Sequence, residues 1–336
     1  MLSSRMTPSE LRDFVNRTGS FIAAHQLPSG AIPYYVNGVV DPWDHVECAI
    51  ALDMCGMTDL AVSAYRWLAQ LQNPDGSWWY TYRDNQPEEP ARDSNHSAYV
   101  ASGVWYHYQV TGDKAFLKEM WPVVEKGLQF TLGLQQPTGQ VYWARDFKDE
   151  PWPSAPLSGS SCIYQSIISG IRIAGAMGLE RPEWKKAANS LLKAILHKPH
   201  LFDVHHDNQR GYAMNWYYPV LAGAVTGQPA RDRINNQWDC YVADGHGCKC
   251  SLDQSWVTVA ETCELAMALV KIGEHERADS LLQWVLRMQD SDGGFWTGIN
   301  IDEELIYPPG EKTTWTAAGV ILAFMADTEK SFLDIL

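Results

Sequence analysis

The sequence predicts an all-α fold, an (α/α)6 toroid of six inner and six outer helices, and three observations carry that prediction. First, a glutamine, three residues and a glycine recur as QLPSG (Gln26 to Gly30), QNPDG (Gln72 to Gly76), QQPTG (Gln135 to Gly139) and QDSDG (Gln289 to Gly293). Each copy closes a helical pattern and is followed by aromatic or apolar residues, as in GSWWY, GQVYW and GGFWTG. One supersecondary unit repeated at roughly 40–60 residues marks a stacked or closed array. Second, amphipathic helical patterns alternate with shorter, more apolar ones able to pack on all sides. Third, strand signals are too short and scattered to form a sheet.

The elements follow in order. Thr7-Pro8-Ser9-Glu10 reads as a capped start, with Thr7 as N-cap, Pro8 at the first helical position and Glu10 reaching back. That helix runs to about His25 and is the first outer one. Inner helices are expected at about 43–55, 95–110, 160–176, 214–225, 254–271 and 313–326, and the remaining outer helices at about 58–72, 114–134, 182–198, 229–242 and 274–289. No linker rich in Pro, Gly or Ser and no low-complexity stretch separates the repeats, so residues 1–336 are expected to form one toroid domain.

A net charge of −14 argues against nucleic acid, polyanions and anionic membranes as partners, since those require clustered Lys and Arg. Fifteen Trp and fifteen Tyr against nine Phe weight the aromatic content toward rings with polar handles, suited to stacking on sugars or lining a terpenoid pocket. The start MLSSRMTPSELRDFV has no apolar signal region and no run of eighteen apolar residues occurs, so a cytoplasmic protein without membrane insertion is expected. Seven cysteines, an odd number sitting mostly in apolar helical stretches, read as reduced thiols. Cys240, Asp244, His246, Cys248 and Cys250 cluster in WDCYVADGHGCKC, but their spacing matches no usual zinc pattern. An ordinary loop is expected there, with no metal and no cofactor.

In a closed ring of helical hairpins the N-terminal ends of the inner helices face one funnel. Here each expected inner helix begins near an aromatic or a carboxylate: Trp43 and Asp44; Asp93, His96 and Tyr99; Tyr164; Trp216 and Tyr217; Asp253 and Trp256; Glu311 and Trp315. Core packing does not predict polar residues gathered at one end of six helices, whereas a concave small-molecule site does.

Two family resemblances fit this pattern. WYHYQVTGDKAFLKEMWPVVEKGLQF (105–130), GQVYWARD (139–146) and SSCIYQSIISGIRIA (160–174) resemble, in register, segments of six-hairpin glycosidases of the glucoamylase type. Trp43-Asp44 and the following AIALDMCGMTDLAVSAYRWL resemble an earlier hairpin of the same family. The resemblance implies carboxylate chemistry on a sugar, but Ala144 stands where that family places its general acid. QNPDGSW (72–78), DGGF (292–295) and EKTTWTAAGVILAF resemble repeats of squalene cyclases and prenyltransferases. Asp41-Pro42-Trp43-Asp44 sits like the Asp-x-Asp-Asp helix start of the cyclases, with Trp43 in place of the protonating aspartate.

Glycoside hydrolysis needs two carboxyl groups flanking a bond. Asp44 and Glu47, like Glu261 and Glu264, are three apart on one helical face. Glu47 in VECAIAL and Glu261 in VAETCEL lie inside apolar helices, where a carboxylate must be paired or functional. Burial would raise the pKa of Glu261 and suit it to proton donation. Asp93 in RDSNHSAY and Asp146 beside Arg145 in WARD complete the catalytic candidates. Trp43, His45, His96, Tyr99, Trp143, Arg145, Tyr164, Trp216, Tyr217, Trp256 and Trp315 are the expected substrate contacts. The function these residues support first is a glycosidase-like enzyme acting on a sugar or oligosaccharide. The alternatives are an isoprenoid-handling enzyme of the cyclase or prenyltransferase type, and a ring that binds without catalysis.

Overall fold

The computed structural model describes residues 6–204 and 211–326. Among them, twelve α-helices alternate between two layers. The outer layer comprises α1 (Pro8–His25), α3 (Thr58–Leu71), α5 (Lys114–Leu132), α7 (Pro182–His197), α9 (Gly227–Tyr241) and α11 (His275–Leu286). The inner layer comprises α2 (Pro42–Met54), α4 (Ser94–Thr111), α6 (Leu157–Ala176), α8 (Ala213–Leu221), α10 (Val259–Lys271) and α12 (Thr314–Met325). Each inner helix packs on the next, and α12 packs back on α2, which closes an (α/α)6 ring.

The two layers differ as their sequences do. Along α7 only Trp184, Ala188, Leu191, Ala194 and Ile195 are buried, a stripe at helical spacing that faces the inner layer. In α2 all but two of the residues from Pro42 to Met54 are buried, including four acidic or imidazole side chains. Small residues let the inner helices approach: a Cβ on Gly103 of α4 would stand 2.6 Å from Val46 of α2.

The recurring turn works as a lateral staple. The Nε2 of Gln72 donates to the carbonyl of Gly76 (3.0 Å), closing its own turn, and to that of Val123 on α5 (2.9 Å). Gln26 does the same toward Leu60 on α3, and Gln135 toward Ala187 on α7. Gly76 has φ +94°, and a Cβ there would lie 2.2 Å from the Lys126 carbonyl oxygen, so only glycine lets the turn seat on the neighbouring helix. The fourth copy reaches α1: Gln289 Nε2 lies 3.4 Å from Thr18 Oγ1, and Gly293 abuts the Arg17 carbonyl.

The expectation of no sheet is corrected. Strands β1 (Trp79–Arg83), β2 (Gln86–Asp93), β3 (Ala144–Arg145) and β4 (Pro151–Trp152) form one antiparallel sheet in that order. Asp84 and Asn85 take φ 51° and 62° between paired Arg83 and Gln86, the two left-handed residues a tight hairpin turn requires. Strands β5 (Val242–Ala243) and β6 (Gly247–Cys248) pair with each other, and β7 (Trp256–Thr258), β8 (Gly298–Asn300) and β9 (Leu305–Ile306) form a third sheet. Residues 254–258 are therefore not helical, and Trp256 lies on β7, before α10 begins. All three sheets sit in connections between helices, where short extended segments satisfy backbone groups beside the ring.

Candidate active site

A cavity of about 370 Å3 opens at the N-terminal ends of α2, α4, α6 and α8. One wall is polar, with Asp41, Asp44, Asp93, Asn95, His96 and the phenols of Tyr34 and Tyr80. The lining also holds apolar groups, Trp43, Trp143, Pro156, Gly159, Cys162 and Met214, beside Ser158 and Tyr218, and Trp143 stands edge-on to Tyr80 at 6.0 Å. A larger depression of about 460 Å3 lies at the other end of the inner helices, between α1 and Met54, Cys55 and Met325. No carboxylate or aromatic ring among the described residues lines it, whereas the first cavity holds both.

Two of the wall carboxylates are helix caps. Asp41 Oδ1 accepts from the backbone N–H of Trp43 (2.7 Å) and Asp44 (3.3 Å), and Asp93 Oδ1 accepts from Asn95 (2.6 Å) and His96 (3.0 Å). Their second oxygens lie 3.6 Å and 4.0 Å from His96 Nε2, whose ring stacks on Tyr80 at 5.1 Å. Asp44 differs, since its hydrogen bond comes from the Tyr34 hydroxyl. Burial, then the neighbouring Asp41 charge, raises its pKa well above the usual carboxylate range.

One turn below, Glu47 accepts from the Tyr99 hydroxyl (3.3 Å), and Glu264 on α10 accepts from that of Tyr217. Burial raises both, Glu47 well above its ordinary range and Glu264 to about 8. Glu261 opens α10 in a capping exchange with Thr258, whose hydroxyl it bonds and whose Oγ1 accepts its N–H, and the Cys250 thiol also donates to it. Burial raises Glu261 as well, while its own N–H and that thiol lower it. Its negative charge is among the causes that raise Asp44 and Glu264.

The expected site residues thus divide. Trp43, Asp44, Asp93, His96 and Trp143 meet in the cavity wall. Glu47, Tyr99 and Tyr217 lie beneath it, and Glu261 interacts with Asp44 from α10. Trp315 packs 6.4 Å from Tyr34. The others lie outside the wall: His45, Tyr164 and Trp216 because successive helical residues point in different directions, and Arg145, Asp146 and Trp256 because they belong to the sheets and turns between helices. His45 faces α3: Ile32 N–H donates to its Nδ1 (3.2 Å), so Nε2 donates to the Ala64 carbonyl (3.0 Å), and burial pushes its pKa down to about 4. Trp216 stacks on Tyr241 at 5.1 Å and donates to the Arg233 carbonyl. Tyr164 is half-buried on α6, outside the wall. Asp146 spends its Oδ1 on the N–H groups of Lys148 and Glu150 in the β3–β4 turn, and Arg145 donates to the Asp149 carbonyl in the same turn. Trp256 donates to the Tyr307 carbonyl at the third sheet.

Tyr34, Asp41, Tyr80, Asn95, Ser158, Met214, Tyr218 and Glu264 complete the site but were not among its expected members. Asp41 had a signal, an N-cap directly before a proline at an inner-helix start. Cys240, His246, Cys248 and Cys250 do not converge, and no group of three or more possible metal ligands occurs among the described residues.

Over 318 residues the chain is 43% identical to the MMP endo-(1,4)-3-O-methyl-alpha-D-mannosidase of Mycolicibacterium hassiacum, covering 95% of this chain and 86% of that protein. The chain belongs to that mannosidase's family. It is a carbohydrate-active, glycosidase-like enzyme. No family model matches it. Among solved structures, a glycosidase bound to glucose superposes with TM-score 0.75 at 12% identity, over 98% of this chain and all of the other. A D-mannose isomerase gives TM-score 0.75 at 11% identity, over 96% and 98%. At such identities these likenesses speak for the (α/α)6 ring alone. No helix among the described residues is long and apolar enough to cross a membrane.

Proposed function

We propose that the enzyme cleaves within chains of α-linked, 3-O-methylated mannose, with Asp44 as proton donor and Glu261 as its ionised partner across the scissile bond. The observation that carries this reading is a cavity-lining Asp44 bonded by the Tyr34 hydroxyl, with Glu261 on α10 near enough for its charge to act on it. The backbone N–H of Glu261 and the Cys250 thiol favour its ionised form against burial, and its charge adds to the burial that keeps the proton on Asp44. Two nearby carboxyls whose surroundings separate their pKa values are the arrangement acid-assisted glycoside cleavage uses. Asp44 gives its proton to the glycosidic oxygen as the bond breaks, the Glu261 charge offsets the positive charge developing on the ring carbon, and a water then forms the new C–O bond there and returns a proton to Asp44. Asp41 and Asp93, tied to helix N-termini, orient His96 toward sugar hydroxyls.

The substrate class rests on the relative's printed activity and on the cavity's mixed polar and apolar lining. Hydroxyls suit the wall of Asp93, Asn95 and His96, where His96 Nδ1 and Asn95 Oδ1 have no partner in the protein. Methyl ethers suit the wall of Trp43, Cys162 and Met214. All seven cysteines are free thiols, which supports work in a reducing compartment such as the cytoplasm.

The test is hydrolysis of 3-O-methylmannose oligosaccharides by the wild type, Asp44→Asn and Glu261→Gln, beside melting curves. Each variant should lose at least about a hundredfold in turnover, the low end for an acid–base group, without losing its fold. Turnover within a few-fold of wild type in either variant removes that residue from the mechanism.

A further inference from the structure

The cavity does not end cleanly at Trp143. A second indole, Trp152 on β4, lies against it with ring centroids 5.1 Å apart, and Trp152 is 44% exposed. Phe147, at the turn of the same β3–β4 hairpin, is 65% exposed. Apolar rings in a mobile loop would need no explanation, but this hairpin is fixed to the site. Its β3 pairs with β2 at Asp93 and Ala144, so the sheet starts from a wall carboxylate. Trp143 N–H donates to the Ser154 carbonyl (2.7 Å), and Asp146, Arg145 and Asp149 bond the turn. Arg92 grips Asp149 from β2 (2.5 Å). A well-held aromatic surface, continuous with the cavity wall and left uncovered, has the properties of a binding platform.

We infer that Trp152, with Phe147 beyond it, is a distal sugar-binding platform that receives the part of an oligosaccharide extending out of the cavity past Trp143. This rests on the glycosidase reading and adds where the chain leaves. The occupant is argued from continuity: Trp143 lines the cavity and also touches Trp152, so a chain following the wall meets the second ring next. Indole faces suit the C–H faces of sugars, and O-methyl groups enlarge that apolar contact. Trp152 takes no part in the acid chemistry, so its effect belongs to binding and grows with substrate length.

The experiment compares kcat and KM across a series of 3-O-methylmannose oligosaccharides for the wild type, Trp152→Ala and Trp152→Phe. It is joined by fluorescence titration of the longest oligosaccharide and by sedimentation. Trp152→Ala should raise KM for the longest substrate about tenfold, an effect of about 1.4 kcal/mol that one aromatic contact can supply. KM for the shortest cleaved substrate, kcat and the melting temperature should stay unchanged, and Trp152→Phe should recover most of the loss. A KM change equal at all lengths, or none at any length, overturns the platform and leaves the hydrolase reading standing. A changed oligomeric state with unchanged KM also overturns it, because the patch then serves self-association. Long oligosaccharides bound through Trp152 but never cleaved would sink the hydrolase reading and keep the platform.

Discussion

Helix α2 carries buried carboxylates at both ends, and they keep different company. Near its C-terminus Asp53 meets His107 of α4, whose Nδ1 lies 3.0 and 3.1 Å from the two carboxylate oxygens, with Phe116 and Tyr65 packed against the imidazole. Near its N-terminus, Asp44 and Glu47 are held by phenols and face further carboxyls on α2 and α10. Burial raises the pKa at both ends, but His107 lowers that of Asp53, whereas neighbouring negative charge adds to the rise at Asp44 and Glu47. One end satisfies its charge and contributes to the fold. In the function proposed above, the other holds at Asp44 a proton that a substrate can take.

The largest effect that separates the two ends is on stability at the paired one. Asp53→Ala leaves a buried imidazole without its partner and should cost about 3 kcal/mol, the low end for breaking a buried pair. Turnover per folded molecule should stay near wild type, read from urea unfolding beside the hydrolysis assay. Lost turnover with kept stability would erase the distinction.

A smaller effect tests the other end through pH. Glu264 titrates at about 8 when folded, against an ordinary value of 4.5. Between those values the folded protein holds a proton that the unfolded chain has released, so stability is fully present below about 4.5 and is lost as pH rises through about 8. Asp44 and Glu47 are shifted in the same direction and steepen the loss. His45, held down to about 4, offsets this loss up to its ordinary value of 6.5, so melting temperature should fall from about pH 6.5 to about pH 9, and Glu264→Gln, neutral throughout, should flatten that slope. A slope unchanged in the variant would mean that Glu264 is not among the protonated groups.

The smallest effect lies away from both ends. Gln72→Ala removes two hydrogen bonds at a half-buried staple and should cost about 1–2 kcal/mol in urea unfolding, with no change in kcat or in the pH slope. A kinetic defect in this variant would couple the outer layer to the funnel.

The ring was legible because its signals are local. Helical periodicity and the Gln-x3-Gly turns lie within stretches of about twenty residues, and they position all six hairpins. What was misread depends on distant partners. Val257 and Thr258 extend because Ile299 and Gly298 pair with them, and nothing near residue 256 announces that strand. Asp146, a candidate by its neighbours in WARD, has one carboxylate oxygen bonded within the turn that the next four residues make. Among the site residues, Asp44, Asp93 and His96 were readable as polar groups at inner-helix starts. Tyr34 and Tyr80 come from connections whose course is set only when the ring closes, and Tyr34 reaches Asp44 across such a connection.

The staple between Gln289 and Thr18 joins residues 271 positions apart. An open stack of helical pairs can fray from its terminal units, one repeat at a time, each loss exposing a single interface. A circle has no terminal unit, and removing any hairpin from it breaks two interfaces at once. Partial unfolding is therefore costly everywhere, and assembly cannot finish until the first helix and the last hairpin have found each other. A closing contact of such long range slows the last step of assembly, and in return the ring is expected to unfold as one cooperative unit around its funnel.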